Sequence, residues 1–260
     1  MYLFREVVRH VSNSIQERNC RGVFASGAGA EEIARDYFVR WDAFDSAQAG
    51  ALRIFGWTGI LGGVSAISRS LESGGEFLRR SPHEDILDVI DELPRGLVEN
   101  AFGRKFALTP DEIFVIGGSF GGAAAILSSL DSRVNKVVAN CPVTDWAILD
   151  RSEKLETSEE NYAAYIREAF GNAYRLSDAN WDKLRRGEFY NPWSRRAEID
   201  ARKVMIFHAM DDPYVPYEGS VRFAEGTGAL LKTVRRGGHL RTEDVVRKYW
   251  EGIRKFFASD

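Results

Sequence analysis

The chain has 260 residues, 44% of them hydrophobic and 28% charged, with a net charge of -3. That length suits one large α/β core and is short for two full domains. No basic face or tail suggests a nucleic-acid partner, and no apolar run reaches membrane-spanning length.

Residues 1–18 place Val7, Val8, Val11 and Ile15 near helical spacing, although a strand over 2–8 also fits. The same stretch lacks the long apolar core of a secretion signal. Residues 22–25 are a short strand candidate running into Ser26-Gly27-Ala28-Gly29. Residues 31–44 read as a helix. Residues 51–55 read as a strand, followed by a loop rich in Gly and Ser. Helical periodicity returns over 83–100 through Ile86, Val89, Ile90, Leu93 and Leu97, with Pro94 set to kink or break it. Ile113-Phe114-Val115-Ile116 reads as a buried strand, and Ala123-Ala124-Ala125-Ile126-Leu127 as the start of a helix. Strand runs recur at 134–139, 204–208 and 230–234. The chain closes on an amphipathic helix over 242–257, with Val245, Val246, Tyr249, Ile253 and Phe256 on its core face. Such alternation implies an α/β fold with a mostly parallel, doubly wound sheet, in one domain over 1–260.

Residues 151–200 break the rhythm. They hold no strand candidate but many charges and aromatics, among them Tyr162, Tyr165, Phe170, Trp181, Tyr190 and Trp193. They read as a small helical insertion. In a doubly wound sheet it would lie over the carboxyl edge, where ligands bind. It would serve there as a lid that excludes water, or as a packed helical hairpin whose aromatics are core.

Gly117-Gly118-Ser119-Phe120-Gly121 falls between a strand and a helix, which is the setting of a nucleophile elbow. The bland alternative is a glycine-rich turn that catalyses nothing. A serine hydroxyl needs a base, and the base needs an orienting partner. Of the four histidines, His10 and His83 lie in helical patterns, and His208 ends a strand as a packing or loop-fixing residue. His239 follows Gly237-Gly238 in a loop after a strand, where a rigid scaffold holds catalytic groups. Asp211 and Asp212 offer adjacent carboxylates after the strand at 204–208. The chain order serine, acid, histidine is the one expected of Ser119, Asp212 and His239. The oxyanion of a tetrahedral intermediate would be held by the Phe120 N–H and by one from the turn at 26–29. A dinucleotide fingerprint at Gly27-Ala28-Gly29 is the competing reading, weakened because Glu32 occupies the third glycine's place. Cys20 and Cys141 fit no metal spacing and read as free thiols in a reduced, cytoplasmic setting.

The stretch from about 22 to 258 resembles the catalytic domain of prolyl-oligopeptidase-type α/β-hydrolases, which include acylaminoacyl peptidases, dipeptidyl peptidases and related esterases. The resemblance is carried by Gly117 to Gly122, Cys141 to Trp146, Asn191-Pro192-Trp193, His208 to Pro216, and Gly237-Gly238-His239. It implies Asp212 rather than Asp211 as the acid, with Ser119 as nucleophile and His239 as base. It also implies that no metal or organic cofactor is needed. Two positions depart from the family pattern. Ser26-Gly27-Ala28-Gly29 stands in place of the usual His-Gly-Gly-Pro, with Ala28 as the expected second oxyanion donor. Ala209 replaces a usual glycine. Trp146, Tyr165 and Trp193 are the expected pocket lining. With no β-propeller ahead of the domain, cleavage of carboxylic esters is the leading expectation. Short or N-blocked peptides are the alternative substrates. A non-catalytic binding protein on the same fold is a third reading, against which the intact trio argues. The expected partners are small-molecule substrates, with self-association left open.

Overall fold

The computed structural model describes residues 36–42, 53–57, 60–65, 76–95, 98–99, 105–107, 109–146, 177–187 and 189–259. The expected helix at 1–18 and strand at 22–25 lie outside the described residues, as do most of the expected insertion, Ala28 and Tyr165.

Seven strands form one sheet: β1 (Asp36–Asp42), β2 (Arg53–Trp57), β3 (Ile60–Ser65), β6 (Glu112–Gly118), β7 (Lys136–Asn140), β8 (Val204–Ala209) and β9 (Leu230–Val234). Their order is β2-β3-β1-β6-β7-β8-β9, and only the β2–β3 pair is antiparallel. A separate two-stranded ribbon joins β4 (Val98–Glu99) to β5 (Lys105–Phe106).

β1 corrects the expected helix at 31–44. Tyr37-Phe38-Val39-Arg40-Trp41 is almost wholly aromatic and β-branched, the composition of a pleated surface. A short apolar run has no periodicity to separate strand from helix. β1 pairs on both sides, with β3 and with β6. β3 falls in the stretch read as a loop, where Gly62 and Gly63 dilute the strand signal. The expected helix over 83–100 ends early. Helix α1 (His83–Glu92) gives way to a 3-10 turn over Leu93–Arg95, because Pro94 has no N–H and its ring crowds the preceding turn. From residue 112 onward the four strands and the closing helix fall within two residues of their expected positions, α2 starts three residues before Ala123, and the helix over Tyr217–Thr227 was not expected.

Strand parity builds the two faces of the core. Ile113 and Val115 pack with α1 and helix α2 (Phe120–Ser128), through Ile86, Ile90, Ala123 and Leu127. Phe114 and Ile116 point the other way, against Val245, Ile253 and Phe257 of helix α5 (Thr242–Phe257). Every residue of α2 is buried, which its Gly and Ala content permits by allowing close approach to the sheet. In the described part of the insertion, helix α3 (Asp178–Arg185) is capped by the Ser177 hydroxyl accepting from the Asn180 N–H. Helix α4 (Tyr217–Thr227) follows the loop after β8 and ends on Gly228 at φ 86°. No described helix is long and apolar enough to cross a membrane.

Candidate active site

Ser119 stands between β6 and α2 at φ 54° and ψ -120°. These are the dihedrals of the first corner of a type II′ turn, which favours glycine over any side chain. The flanking glycines explain how the turn closes. A Cβ on Gly117 would lie 2.1 Å from the Gly121 carbonyl oxygen, and one on Gly122 would lie 2.8 Å from the Pro142 Cβ. The Ser119 N–H donates to the Asn140 carbonyl at 2.8 Å, which ties the elbow to the end of β7.

Beyond β7, the ladder continues along the same edge of the sheet. The Cys141 N–H donates to the Phe207 carbonyl at 2.7 Å, and the Met210 N–H to the Val234 carbonyl at 2.9 Å. Ser119, Asp212 and His239 therefore follow β6, β8 and β9 at the carboxyl edge of one parallel array. Ser119 is half-buried and Asp212 is buried, while the His239 side chain keeps 25% of its exposure.

The two adjacent carboxylates have different partners. Asp212 Oδ2 lies 2.8 Å from His239 Nδ1, and Asp212 Oδ1 accepts the Tyr214 and Val215 N–H groups at 2.9 and 3.0 Å. Asp211 Oδ1 accepts the Gly237 and Gly238 N–H groups at 2.8 and 2.9 Å, and so clamps the loop that carries His239. Burial alone would push the Asp212 carboxyl up. The hydrogen bonds from His208, His239 and the Val215 N–H outweigh that and hold it well below the usual carboxylate range. The carboxylate accepts from His239 Nδ1–H, which leaves Nε2 as the acceptor that a base requires.

Asn140 was not singled out in the sequence. Its carbonyl takes the Ser119 N–H, and its side-chain amide donates to the Leu240 carbonyl at 2.6 Å, one residue beyond His239. One residue thus touches the chain at both the elbow and the histidine loop. The only local hint was a polar residue ending an apolar strand.

Phe120, the first residue of α2, packs its ring 4.8 Å from that of Tyr190 and 5.6 Å from that of Trp146. The Tyr190 hydroxyl donates to the Phe120 carbonyl, and burial pushes that hydroxyl's pKa well above its ordinary value. The Trp146 indole N–H donates to the Tyr190 carbonyl at 2.8 Å. Trp146 is thus buried in an aromatic cluster behind the elbow. Trp193 is half-buried, with the Arg222 and Arg196 guanidiniums 3.7 and 4.3 Å from its ring centre. Arg222 also pairs with Asp145 at 3.0 Å. A narrow crevice opens between the loops after β7 and β8, lined by Val143, Thr144, Asp145, Val215 and Pro216.

Cys141, His208 and Asp212 bring potential metal-ligating atoms within 4.8 Å of one another. These atoms already serve one another. Burial and then the Asp212 charge push the Cys141 thiol up to about 12, which keeps it protonated and unreactive. The Asp212 oxygens are occupied by N–H donors.

A model of the prolyl oligopeptidase family matches residues 97–258, well over half of the chain. No curated protein matches the sequence. Among solved structures, the α/β hydrolase GrgF from Penicillium is similar at 17% identity and TM-score 0.57, over 86% of this chain and 90% of that one. An esterase from Pyrococcus furiosus is similar at 16% identity and TM-score 0.56, over 86% of this chain and 81% of that one. The acylaminoacyl peptidase of Pyrococcus horikoshii is similar at 14% identity and TM-score 0.54, over 86% of this chain and 36% of that one. At these identities the likeness establishes the fold, that of the α/β hydrolases.

Proposed function

Since the chain belongs to the prolyl oligopeptidase family and is a hydrolase of esterase or peptidase type, we propose that it is a serine hydrolase cleaving carboxylic esters, with Ser119, His239 and Asp212 as its triad. The observation that carries this reading is the 2.8 Å contact between His239 Nδ1 and Asp212 Oδ2, on the same sheet edge as a serine held at φ 54°. Ser119 Oγ attacks the acyl carbon while His239 Nε2 takes its proton. The carbonyl π electrons move to oxygen, where the Phe120 N–H and an N–H of Ala28 hold the oxyanion. Collapse expels the alcohol, which receives the proton from His239 and leaves an acyl-Ser119 ester. Water then repeats the sequence and releases the acid. Asp212 stays ionised throughout and stabilises the imidazolium.

The likeness to an esterase supports the ester reading. The family match and the likeness to an acylaminoacyl peptidase support a second reading, hydrolysis of short or N-blocked peptides. Fluorophosphonate labelling tests the triad. Wild type is expected to label, and Ser119→Ala is expected to lose all labelling. Labelling that survives in Ser119→Ala, or that never occurs, overturns the proposal. A panel of p-nitrophenyl esters against aminoacyl-nitroanilides then decides between the two substrate classes.

A further inference from the structure

Asp212 carries more donors than a triad acid requires, and one of them comes from a second histidine. His208 is fully buried in β8, a strand buried along its whole length. A buried imidazole is destabilising unless both ring nitrogens are paired. Here both are. Nε2 lies 3.1 Å from the Val215 carbonyl oxygen and 3.3 Å from Asp212 Oδ2. A carbonyl only accepts, so Nε2 carries the hydrogen and is shared between Val215 and the carboxylate. Nδ1 then presents a lone pair, and the Ser220 hydroxyl, 2.7 Å away on α4, donates to it. The ring also stands edge-on to Tyr217 of the same helix, 5.7 Å between centres. Sheet and helix together fix both the orientation of this imidazole and its tautomer.

Asp212 Oδ2 consequently sits between two imidazole N–H groups. One belongs to the immobile His208. The other belongs to the partly exposed His239 that does the chemistry. Among the described residues, the carboxylate also meets the Cys141 thiol and the Tyr214 and Val215 N–H groups. We propose that His208, held by Ser220, is a positioning residue for the reaction: it anchors Asp212 Oδ2 at the point where His239 Nδ1 must meet it, and so aims His239 Nε2 at Ser119. This rests on the triad reading above. A structural filler at 208 would need only the right volume, whereas a positioning residue needs a donor at the Nε2 position.

That difference sets the experiment. His208→Phe keeps the ring packing against Tyr217 and removes both nitrogens. His208→Gln keeps an amide N–H within reach of the Nε2 position. With ester substrate, His208→Phe is expected to lower kcat by about 10- to 100-fold with KM within about twofold, the scale of a misaligned catalytic group. His208→Gln is expected to recover most of that loss. Equal losses in the two variants, or a loss confined to KM, overturn the proposal. Should His208→Phe fail to fold, side-chain nitrogen NMR of the wild type decides, with the His208 signal assigned from its absence in His208→Gln. The Nε2–H tautomer is expected, and the Nδ1–H tautomer overturns the proposal. Fluorophosphonate labelling of wild type and Ser119→Ala runs in parallel. Wild type that labels through Ser119 while His208→Phe labels at the same rate defeats this inference alone. Absence of Ser119-dependent labelling defeats the triad.

Discussion

The elbow makes a prediction about stability that inverts the usual ranking of two substitutions. Replacing an ordinary residue by glycine normally destabilises more than replacing it by alanine, by about 0.4–1 kcal/mol, because glycine loses more freedom on folding. Ser119 has φ 54° and ψ -120°, a conformation in which a Cβ is strained. Strain of that kind is worth about 1–3 kcal/mol. Ser119→Ala keeps the Cβ and the strain. Ser119→Gly removes both and incurs the entropic term. The difference favours glycine by roughly 1 kcal/mol, which for a chain of this size corresponds to about 2–4 °C in Tm. The expected result is therefore two variants equally dead to fluorophosphonate, with Ser119→Gly melting above Ser119→Ala. The neighbouring glycines hold the turn in place in both, since any Cβ at Gly117 or Gly122 meets backbone or Pro142. Differential scanning calorimetry at neutral pH measures it. An alanine variant that melts at or above the glycine variant would refute the strain argument.

Other outcomes follow from the partners of the two aspartates and of Asn140. Asp212→Asn keeps the shape but upsets the His239 tautomer, and is expected to lower kcat by about 10⁴-fold. Asp211→Ala releases only the clamp on Gly237 and Gly238, and is expected to cost about tenfold in kcat, the order set by a small misplacement. Asp212 also shapes the acid stability of the fold. Burial opposes its ionisation, but its hydrogen bonds hold the folded carboxyl below the unfolded value of about 3.9. Its contribution is thus complete above that value and is lost as pH falls through the acid range. Tm recorded against pH for wild type and Asp212→Asn is expected to converge toward low pH. Asn140→Ala removes the donor to the part-buried Leu240 carbonyl. It is expected to destabilise by about 1–3 kcal/mol, read as a lower urea midpoint with an unchanged slope.

The half of the fold from β6 onward was legible because each strand there is an apolar run closed by polar or glycine-rich turns. α5 shows the matching helical period. β1 and β3 were not. Their apolar runs are short, and β3 is diluted by glycine, so only the neighbouring strands decide their conformation. Ser119, Asp212 and His239 were legible as candidates because each follows its own strand. The contacts that organise them were not. Asn140 reaches Leu240, and Asp211 reaches Gly237, across separations of 100 and 26 residues, and such pairings leave no local pattern. Trp193 was expected as pocket lining from residue type alone, which gave no sign of the two guanidiniums over its ring.

Asn140 gives the site a shared reference point. Its carbonyl holds the elbow through the Ser119 N–H, and its amide holds the chain just past His239. A shift of that strand end would carry Ser119 and the chain beside His239 in the same direction. Two attachments to one residue would leave their separation unaltered by such a shift, much as two lenses on one mount stay in focus when the mount moves. Cutting either attachment would turn shared motion into relative motion, felt as a loss of alignment with the average structure unchanged.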